Sequence, residues 1–416
     1  MERSFAGAIA LVGRATGPVS QHLGSFVDLL IRQQFVAAVV HVKTLHAMAF
    51  DRWLAKHDVD PAALSEAHIR RFARRRRRQR GPIRPETRRR EVYDVQQVVD
   101  FLRSRGVCAE SIASTTPVEV LVAAFASHLR DQQGLASPTI ERYTIATRQF
   151  LENRFSTGAV DLHTLAARDI VEFIRGQVAH LTPPGLKCVV TAMRSFLRFA
   201  QCRGEVACEL VAAVPAVATW ATTPALPRAI SPDHAQRAID SCDLGTATGL
   251  RDRAILMILA RLGLRANEVI SLQLDDCDWN GGQVRVHSKG GRECLLPMPD
   301  DVGGAIAAYL ERGRPSSDDR HLFLRSTAPI SGFMRGSDAI GSIVKYALAR
   351  AGANSPHRGS HQFRHALAVR MLRGGASLAE IGEVLRHRSP QTTSIYARVD
   401  IDALRPLALP WPGGAQ

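Results

Sequence analysis

Apolar residues recur at intervals of three and four along most of the chain, and this spacing constrains its fold more than any other feature. The interval places them on one face of an α-helix, whereas a half-buried strand needs strict alternation. One stretch differs: residues 281–298 predict two short strands, with Lys289-Gly290-Gly291-Arg292 as the turn. The sequence therefore predicts a mainly α protein with one small β-hairpin or sheet.

A weakly charged segment divides the chain. The 416 residues exceed one ordinary domain, which has about 100–200 residues. Residues 206–228 are small, proline-punctuated and nearly uncharged, a composition that predicts a linker. Ser231 and Pro232 then suit a helix N-cap and the first helical position. A new domain is therefore predicted to begin at residue 229.

The part before the linker contains a faint internal repeat. Residues 26–106 are echoed by residues 125–204, with an offset of about one hundred residues that drifts slightly. The repeat favours two tandem helical modules, and chance likeness between amphipathic helices is the alternative. The predicted parts are a helical module at 1–110, a second helical module at 115–205, the linker at 206–228, a C-terminal domain at 229–405 and a tail at 406–416.

The net charge indicates a polyanionic partner. Lys and Arg number 54 against 39 Asp and Glu, which gives +15 and a pI near 10.3. Nucleic acid is the first candidate and an anionic membrane surface the second. No apolar run approaches the roughly 18–20 residues that span a bilayer. The short apolar stretch at 6–12 is interpreted as a helix of a soluble protein rather than a signal peptide.

A dense arginine run lies inside the first module. Residues 70–90, which we call the arginine run, hold twelve arginines and one acid, Glu86. A solvated basic face is the usual explanation, but this density repels itself unless counterions or phosphates are present. We therefore expect the run to contact DNA phosphates, chiefly through Arg74, Arg75, Arg76, Arg77 and Arg78. Such contacts position a protein on DNA without reading its sequence.

The cysteines suggest neither a disulfide framework nor a metal site. The seven are scattered, odd in number and never spaced as CxxC, so we expect free buried thiols in a reduced, cytoplasmic setting. The sequence also shows no P-loop and no carboxylate cluster suited to two-metal catalysis. No metal and no other cofactor is expected.

The C-terminal part carries an ordered set of reactive side chains. Taken singly, each has an ordinary explanation, such as a surface ion pair for Arg265 and Glu268 or a core position for Tyr396. Taken together, their order, type and spacing are distinctive, and Tyr396 follows His387 by nine residues. The set consists of Arg265, Lys289, His361, Arg364, His387 and Tyr396.

This set resembles the active-site pattern of the phage-integrase-like, Xer-type tyrosine recombinases. That pattern has an arginine in a Gly-Leu-Arg motif, a lysine in a β-turn, a His-x-x-Arg box, a second His or Trp, and a tyrosine nine residues later. Phe363 replaces the usual leucine of the box, and Arg386 stands where glycine is common, which puts the adjacent turn in doubt. The resemblance covers roughly residues 115–405 and leaves the first module unexplained.

The resemblance implies a helical, SAM-like core-binding domain followed by an α+β catalytic domain. Residues 135–143 look like an early helix of the core-binding domain. The DNA-contact candidates that follow in this domain are Thr139, Arg142, Lys187 and Arg194.

The chemistry implied by the resemblance explains the two arginines. Attack on a phosphodiester raises the charge on its two non-bridging oxygens as a pentavalent state forms. Arg265 and Arg364 suit that state because a guanidinium donates bidentately and keeps its proton. His361 lies one helical turn from Arg364, and Glu268 is expected to orient Arg265.

The resemblance also implies a covalent intermediate. Tyr396 attacks phosphorus to give a 3′-phosphotyrosyl link, and Lys289 protonates the departing 5′ oxygen. His387 hydrogen-bonds a non-bridging oxygen. One of the histidines accepts the tyrosine proton, and the sequence leaves open which one. Because the link conserves the phosphodiester energy, religation needs no nucleotide.

The expected function is site-specific DNA recombination, as in integration or transposition of a mobile element. The implied partners are double-stranded DNA with specific half-sites, three further copies of the chain on synapsed DNA, and accessory recombinases or DNA-bending proteins. Residues 401–411 include enough apolar side chains to dock on a neighbouring subunit or on their own domain. The alternatives are a chromosome-dimer resolvase, a type IB topoisomerase that relaxes DNA, and a non-catalytic DNA-binding protein.

Overall fold

The computed structural model describes residues 5–79, 85–108, 116–155, 159–216, 230–288, 292–333, 336–353, 359–387 and 389–399. These residues are mainly helical and contain one three-stranded sheet, which confirms the predicted fold class. No helix among them is both long and apolar enough to cross a membrane. Two compact units make up the chain: Met1–Asp58 with Tyr93–Val98 and Pro224–Gln416, and Val59–Val92 with Val99–Thr223.

The N-terminal helices are held by buried polar contacts as well as by apolar packing. The helices are α1 (Ala6–Val12), α2 (Ser20–Arg32), α3 (Ala37–Lys56), α4 (Glu66–Gln79) and α5 (Pro85–Ser104). On α3, the buried Asp51 carboxylate accepts hydrogen bonds from the backbone N–H groups of Gly17 and Val19, both at 2.9 Å. Lys43 Nζ lies 2.5 Å from Asp94 Oδ1 on α5. The Asp51 hydrogen bonds and the Lys43–Asp94 ion pair therefore tie α3 to the segment before α2 and to α5.

The arginine run lies largely on α4 and α5. On α4, Ile69 and Phe72 are buried, whereas Arg71 and Arg74 are exposed. The helix is therefore amphipathic, with a basic face towards water. The side chains from 75 to 89 lie outside the described residues.

The second unit contains a four-helix core built from aromatic side chains. Its helices after α5 are α6 (Pro117–Asp131), α7 (Ser137–Phe155), α8 (Ala167–Val178), α9 (Pro183–Cys202) and α10 (Cys208–Ala212). Phe125, Phe150 and Phe196 are fully buried, and the rings of Phe125 and Phe196 meet edge to face at 5.5 Å. Arg148 donates to both carboxylate oxygens of Glu119, at 2.9 and 3.1 Å, and so joins α7 to α6.

The segment predicted as a linker begins as packed structure. Its first residues include the helix α10, and Val206 and Val214 on either side are buried in the core of this unit. Their apolar side chains gain more from burial than from exposure, although the surrounding composition is that of a linker. Residues 217–229 lie outside the described part of the chain.

The C-terminal part surrounds one apolar helix. Its helices are α11 (Pro232–Asp240), α12 (Ala247–Arg261), α13 (Ala266–Ser271), α14 (Asp300–Arg312), α15 (Gly336–Arg350), α16 (His361–Arg373), α17 (Leu378–Val384) and α18 (Pro390–Thr393). Residues 254–260 of α12 are all buried, as expected for a helix that is covered on every side. The predicted start of α11 is confirmed: the Ser231 hydroxyl accepts from the His234 N–H at 3.2 Å, with Pro232 at the first helical position.

The predicted hairpin forms the antiparallel sheet. Its strands are β1 (Cys277–Asp278), β2 (Gln283–Ser288) and β3 (Arg292–Pro297), in the order β1-β2-β3. Val286 pairs with Cys294 in the β2–β3 register. The short β1 was not predicted because two residues are too few to show alternation. Lys289 and the rest of the turn between β2 and β3 lie outside the described residues.

All seven cysteines are free, as expected, but the expectation that all are buried is wrong. Cys108, Cys242 and Cys277 are buried, whereas Cys202 and Cys208 are exposed. The exposed pair occupies the last residue of α9 and the first residue of α10. Composition alone misplaces these thiols, because it does not show which positions the helix ends leave in water.

Candidate active site

The glycine of the Gly-Leu-Arg motif allows two helices to approach the end of α12. Gly263 has φ of +60°, and a Cβ there would lie 2.8 Å from Leu367 Cδ2 and 2.9 Å from Leu385 Cδ2. A larger residue would strain the turn and push α16 and the end of α17 away. Arg265 follows two residues later as the N-cap of α13. The motif thus places the arginine beside the segments that carry the other site residues.

Arg265 and Glu268 form a tight local pair. The Arg265 backbone N–H donates to Glu268 Oε2, and Arg265 Nη1 donates to Oε1, both at 2.8 Å. Arg386 Nη2 donates to the same Oε2 at 2.9 Å. Burial alone would raise the pKa of Glu268, but the Arg265 N–H and the charges of Arg386 and Arg265 bring it below its usual value. Glu268 is therefore an ionised carboxylate shared by two arginines.

Arg364 is a buried cation held by backbone carbonyls. Its residue is only 3% exposed. Nη1 donates to the Gly263 carbonyl at 2.5 Å, and Nη2 donates to the Leu385 carbonyl. Burial, followed by the positive charges of Arg265 and Arg386, lowers its pKa to about 10, so it stays charged at neutral pH. No carboxylate among the described residues forms an ion pair with it. A buried guanidinium of this kind favours an incoming anion.

Two histidines lie one turn apart on α16. The rings of His361 and His365 are 6.3 Å apart, and His361 is the more exposed. Loss of surrounding water, followed by the charges of Arg364 and Arg265, lowers the pKa of His361. Burial, then His361 and Arg364, lowers the pKa of His365. Both rings are therefore neutral at physiological pH and can accept a proton.

The hydroxyl of Tyr396 is hydrogen-bonded to His365. Tyr396 is 1% exposed, in a short 3₁₀ turn at Ser394–Val399, and its Oη lies 2.9 Å from His365 Nδ1. Burial raises the pKa of Tyr396, although the charges of Arg364 and Arg265 oppose that shift. The phenol is therefore protonated at rest, with an imidazole in contact to take its proton.

His387 lies against the same tyrosine. Its ring is nearly parallel to that of Tyr396, with an interplanar angle of 9° and centroids 6.3 Å apart. His387 Nδ1 lies 2.7 Å from the hydroxyl oxygen of the buried Thr393. Burial, then Arg364 and Arg265, lowers the pKa of His387 to about 4. A neutral ring still carries one N–H, so His387 can donate a hydrogen bond to a phosphate oxygen.

The structure brings together the described members of the predicted set, except that Lys289 lies outside the described residues. It adds two side chains with no predicted role, His365 and Arg386. His365 is four residues after His361, which puts both on one helix face, but its partner Tyr396 is 31 residues away. We call the assembled group the Tyr396 cluster: Arg265, Glu268, His361, Arg364, His365, Arg386, His387 and Tyr396.

The four DNA-contact candidates of the second module have different settings. Thr139 lies in the first turn of α7, and Arg142 is exposed one turn later. Lys187 is exposed on α9. Arg194 is half-buried, and its Nη2 donates to two backbone carbonyls after α10, at 3.1 and 3.3 Å. Arg194 therefore supports the fold, and all four remain predictions as DNA contacts.

The described residues contain no group of three or more His, Cys, Asp or Glu side chains arranged to hold a metal ion. The reactive groups of the Tyr396 cluster are instead guanidinium, imidazole and phenol. Such a set can bind an anion, move a proton and supply an oxygen nucleophile.

Comparisons with known proteins agree with this chemistry. Residues 228–402 match the sequence pattern of the phage integrase family. Over 406 residues the chain is 44% identical to y4rA, a Sinorhizobium fredii protein named as an integrase/recombinase, with 96% of each chain covered. It is 31% identical over 311 residues to tyrosine recombinase XerD of Mycobacterium tuberculosis, which covers 70% of this chain and 95% of XerD.

Solved structures share the fold. The XerH site-specific recombinase, bound to its palindromic difH substrate, superposes with a TM-score of 0.55 at 17% identity, over 69% of this chain and 83% of that one. A lambda integrase dimer bound to a COC′ core site superposes with a TM-score of 0.50 at 15% identity. The superposition covers 66% of this chain and 96% of that one.

Proposed function

This chain belongs to the phage integrase family, and on that premise we propose that it is a site-specific DNA recombinase of the tyrosine type. One observation carries the proposal: the buried hydroxyl of Tyr396 contacts the His365 imidazole at 2.9 Å, in a site that also holds Arg265 and the buried cation Arg364. Two fixed cations beside a nucleophile and a base suit attack on a phosphodiester. The products are a 3′-phosphotyrosyl link and a free 5′ hydroxyl.

The arginines stabilise the pentavalent transition state. Arg364 lacks a carboxylate partner among the described residues, so the non-bridging oxygens become its counter-charge. Arg265 is held at its N-cap position by Glu268 and presents its remaining N–H groups. Because both guanidinium groups are fixed before DNA arrives, little reorganisation opposes the reaction.

The proton of Tyr396 passes to His365. In this step Oη forms a bond to phosphorus, the bond from phosphorus to the 5′ oxygen breaks, and Nδ1 of His365 gains the proton. His387 donates to a non-bridging oxygen, and Lys289 delivers a proton to the 5′ oxygen. Rejoining reverses each transfer, so strand exchange consumes no nucleotide. This assignment selects His365 where the sequence left the base open.

The biological setting that we propose is integration or transposition of a mobile element. The match to y4rA extends over 96% of this chain, whereas the match to XerD covers 70%. The part of this chain that XerD does not match therefore has a counterpart in y4rA, a protein named as an integrase/recombinase. We also propose specific half-sites in double-stranded DNA, a homotetramer on the synapsed sites, accessory recombinases or DNA-bending proteins, and a cytoplasmic location.

Covalent trapping tests the function. The purified full chain is incubated with fragmented double-stranded DNA and a metal chelator, and protein-linked DNA is recovered and sequenced. Enrichment of paired half-sites, with the adduct mapped to Tyr396, is the expected result. Adducts spread over unrelated sequences would instead support relaxation of the type IB topoisomerase kind. Absence of any protein-linked DNA would reject the proposal that the chain cleaves DNA strands.

A further inference from the structure

Arg386 occupies a backbone conformation that favours glycine. Its φ is +54°, in the left-handed region, where a Cβ costs free energy that glycine does not incur. It is the residue between the end of the α17 segment and His387. Strain of this kind persists where other contacts hold the residue in place.

The side chain of Arg386 supplies those contacts. Although long and charged, it is only 9% exposed. Nη2 donates to Glu268 Oε2 at 2.9 Å, and Nη1 donates to the Val384 carbonyl at 3.3 Å. Its Nε is buried with no hydrogen-bond partner among the described residues. The contact between the Arg386 guanidinium and Glu268 is thus made despite two unfavourable features, a strained backbone at residue 386 and a buried Nε–H without a hydrogen-bond partner among the described residues.

This contact closes a loop of interactions around the phosphate-binding arginines. Glu268 holds Arg265, and the Leu385 carbonyl, next to Arg386, accepts from Arg364. The turn at 385–387 therefore contacts the supports of both arginines and carries His387 as its next residue. A glycine at 386 would relieve the backbone but leave this turn without its link to Glu268.

We propose that Arg386 is a positioning residue for strand cleavage, which locks the turn bearing His387 to the Arg265–Glu268 pair. The inference rests on the proposed function. Arg386 itself does not touch the reacting phosphate; it acts through Glu268 and through the turn. Removing it should let His387 and Arg265 drift relative to each other, which affects the reaction more than DNA binding.

The test compares Arg386→Gly with Arg386→Lys in single-turnover cleavage of a suicide substrate. Arg386→Gly should cleave about 10- to 100-fold more slowly, the loss expected when reacting groups are misplaced by about 1 Å. The affinity for a half-site should change little. The midpoint temperature of thermal unfolding should not fall in proportion to the loss of cleavage rate. Arg386→Lys, which keeps a positive charge near Glu268, should cleave faster than Arg386→Gly but more slowly than the unmodified protein.

Three further variants separate positioning from general effects. Asp58→Gly relieves another left-handed residue, with φ of +53°, outside the Tyr396 cluster, and should cleave normally. Arg386→Asn also tolerates the left-handed turn without the ion pair, so it should show the same slower cleavage and replaces Arg386→Gly if that variant fails to fold. In a Glu268→Gln background, loss of Arg386 should cost much less than in the unmodified protein.

Specific outcomes overturn the inference. Cleavage by Arg386→Gly and Arg386→Asn at the unmodified rate would remove any positioning role. Equal losses of binding and cleavage would make Arg386 a docking or folding residue. Either result leaves the proposed function intact if the unmodified chain forms its tyrosyl adduct, whereas absence of that adduct rejects the function itself.

Discussion

The arginines of the Tyr396 cluster and those of the arginine run carry the same side chain in opposite settings. Arg364 is buried and the side chain of Arg386 is only 9% exposed, and carbonyls or Glu268 fix their guanidinium groups. Arg70 and Arg71 on α4 are exposed to water. Fixed, desolvated charge stabilises one geometry strongly, whereas solvated charge attracts any polyanion and is screened by salt. Fixed arginines are therefore suited to stabilising a transition state, whereas solvated arginines are suited to binding a polyanion without regard to its sequence.

The most severe test removes the chemistry while leaving both sets of arginines. Tyr396→Phe lacks the hydroxyl that attacks phosphorus, so adduct formation should fall by on the order of 10⁴-fold or more. Half-site binding, measured by mobility shift, should persist because no arginine has changed. Residual cleavage near the original rate, with an adduct on another residue, would show that Tyr396 is not the nucleophile.

The next test removes one fixed arginine at a time. Arg265→Ala and Arg364→Ala should each reduce the cleavage rate constant by on the order of 10²-fold or more, with a smaller loss of half-site binding. Arg320→Ala is the matched control, because Arg320 is an exposed residue paired with Asp275. If binding and cleavage fall equally, Arg265 and Arg364 are docking residues and the contrast with the arginine run disappears.

The buried setting also predicts an unusual pH response. Loss of surrounding water first, and then the nearby arginine and histidine side chains, lowers the pKa values of His361, His365 and His387, the last to about 4. The neutral rings should therefore persist, and cleavage should stay constant, as the pH falls through about 6.5, the ordinary histidine pKa. A decline in single-turnover rate centred near that pH would contradict these shifts.

Circular dichroism at each pH is the control for that experiment. A histidine whose pKa is lowered by folding takes up its proton more readily in the unfolded chain. The stability contributed by its neutral form is thus present above about pH 6.5 and is lost as the pH falls towards the folded value. Rates are compared only where the helical signal is unchanged.

The smallest expected effect on cleavage comes from the arginine run. Replacing Arg74 to Arg78 by Ser should lower the salt slope of log affinity by about 0.9 for each phosphate that the protein no longer neutralises. The DNase footprint should shorten at its outer edge while the cleavage position stays fixed. Replacement of the same residues by Lys keeps the charge and should preserve the slope. An unchanged slope and footprint in the Ser variant would make the run a solvated or protein-binding face.

Local sequence signals predicted local structure well. Ser231 and Pro232 start a helix as expected, and the alternation after residue 281 becomes the antiparallel sheet. The linker prediction missed the packing of Val206 and Val214, because composition does not show what a short apolar segment can contact. Such contacts depend on the tertiary arrangement of α9 and its neighbours.

The sequence pattern predicted most residues of the candidate site but not the contacts between them. The sequence marked Arg386 as a departure from glycine, but its partner Glu268 lies 118 residues away. Likewise, nothing local links His365 to the hydroxyl of Tyr396. Periodicity and motif spacing report neighbours along one element, whereas these contacts join separate elements after packing.

The two carbonyl contacts of Arg364 have a consequence for synthesis of the chain. Gly263 precedes Arg364 by 101 residues, and Leu385 follows it by 21. A ribosome releases the segment around Gly263 first, and the guanidinium can settle only when residues beyond 385 have emerged. A growing polypeptide therefore contains the arginine run before Arg364 is fixed and before Tyr396 has been added.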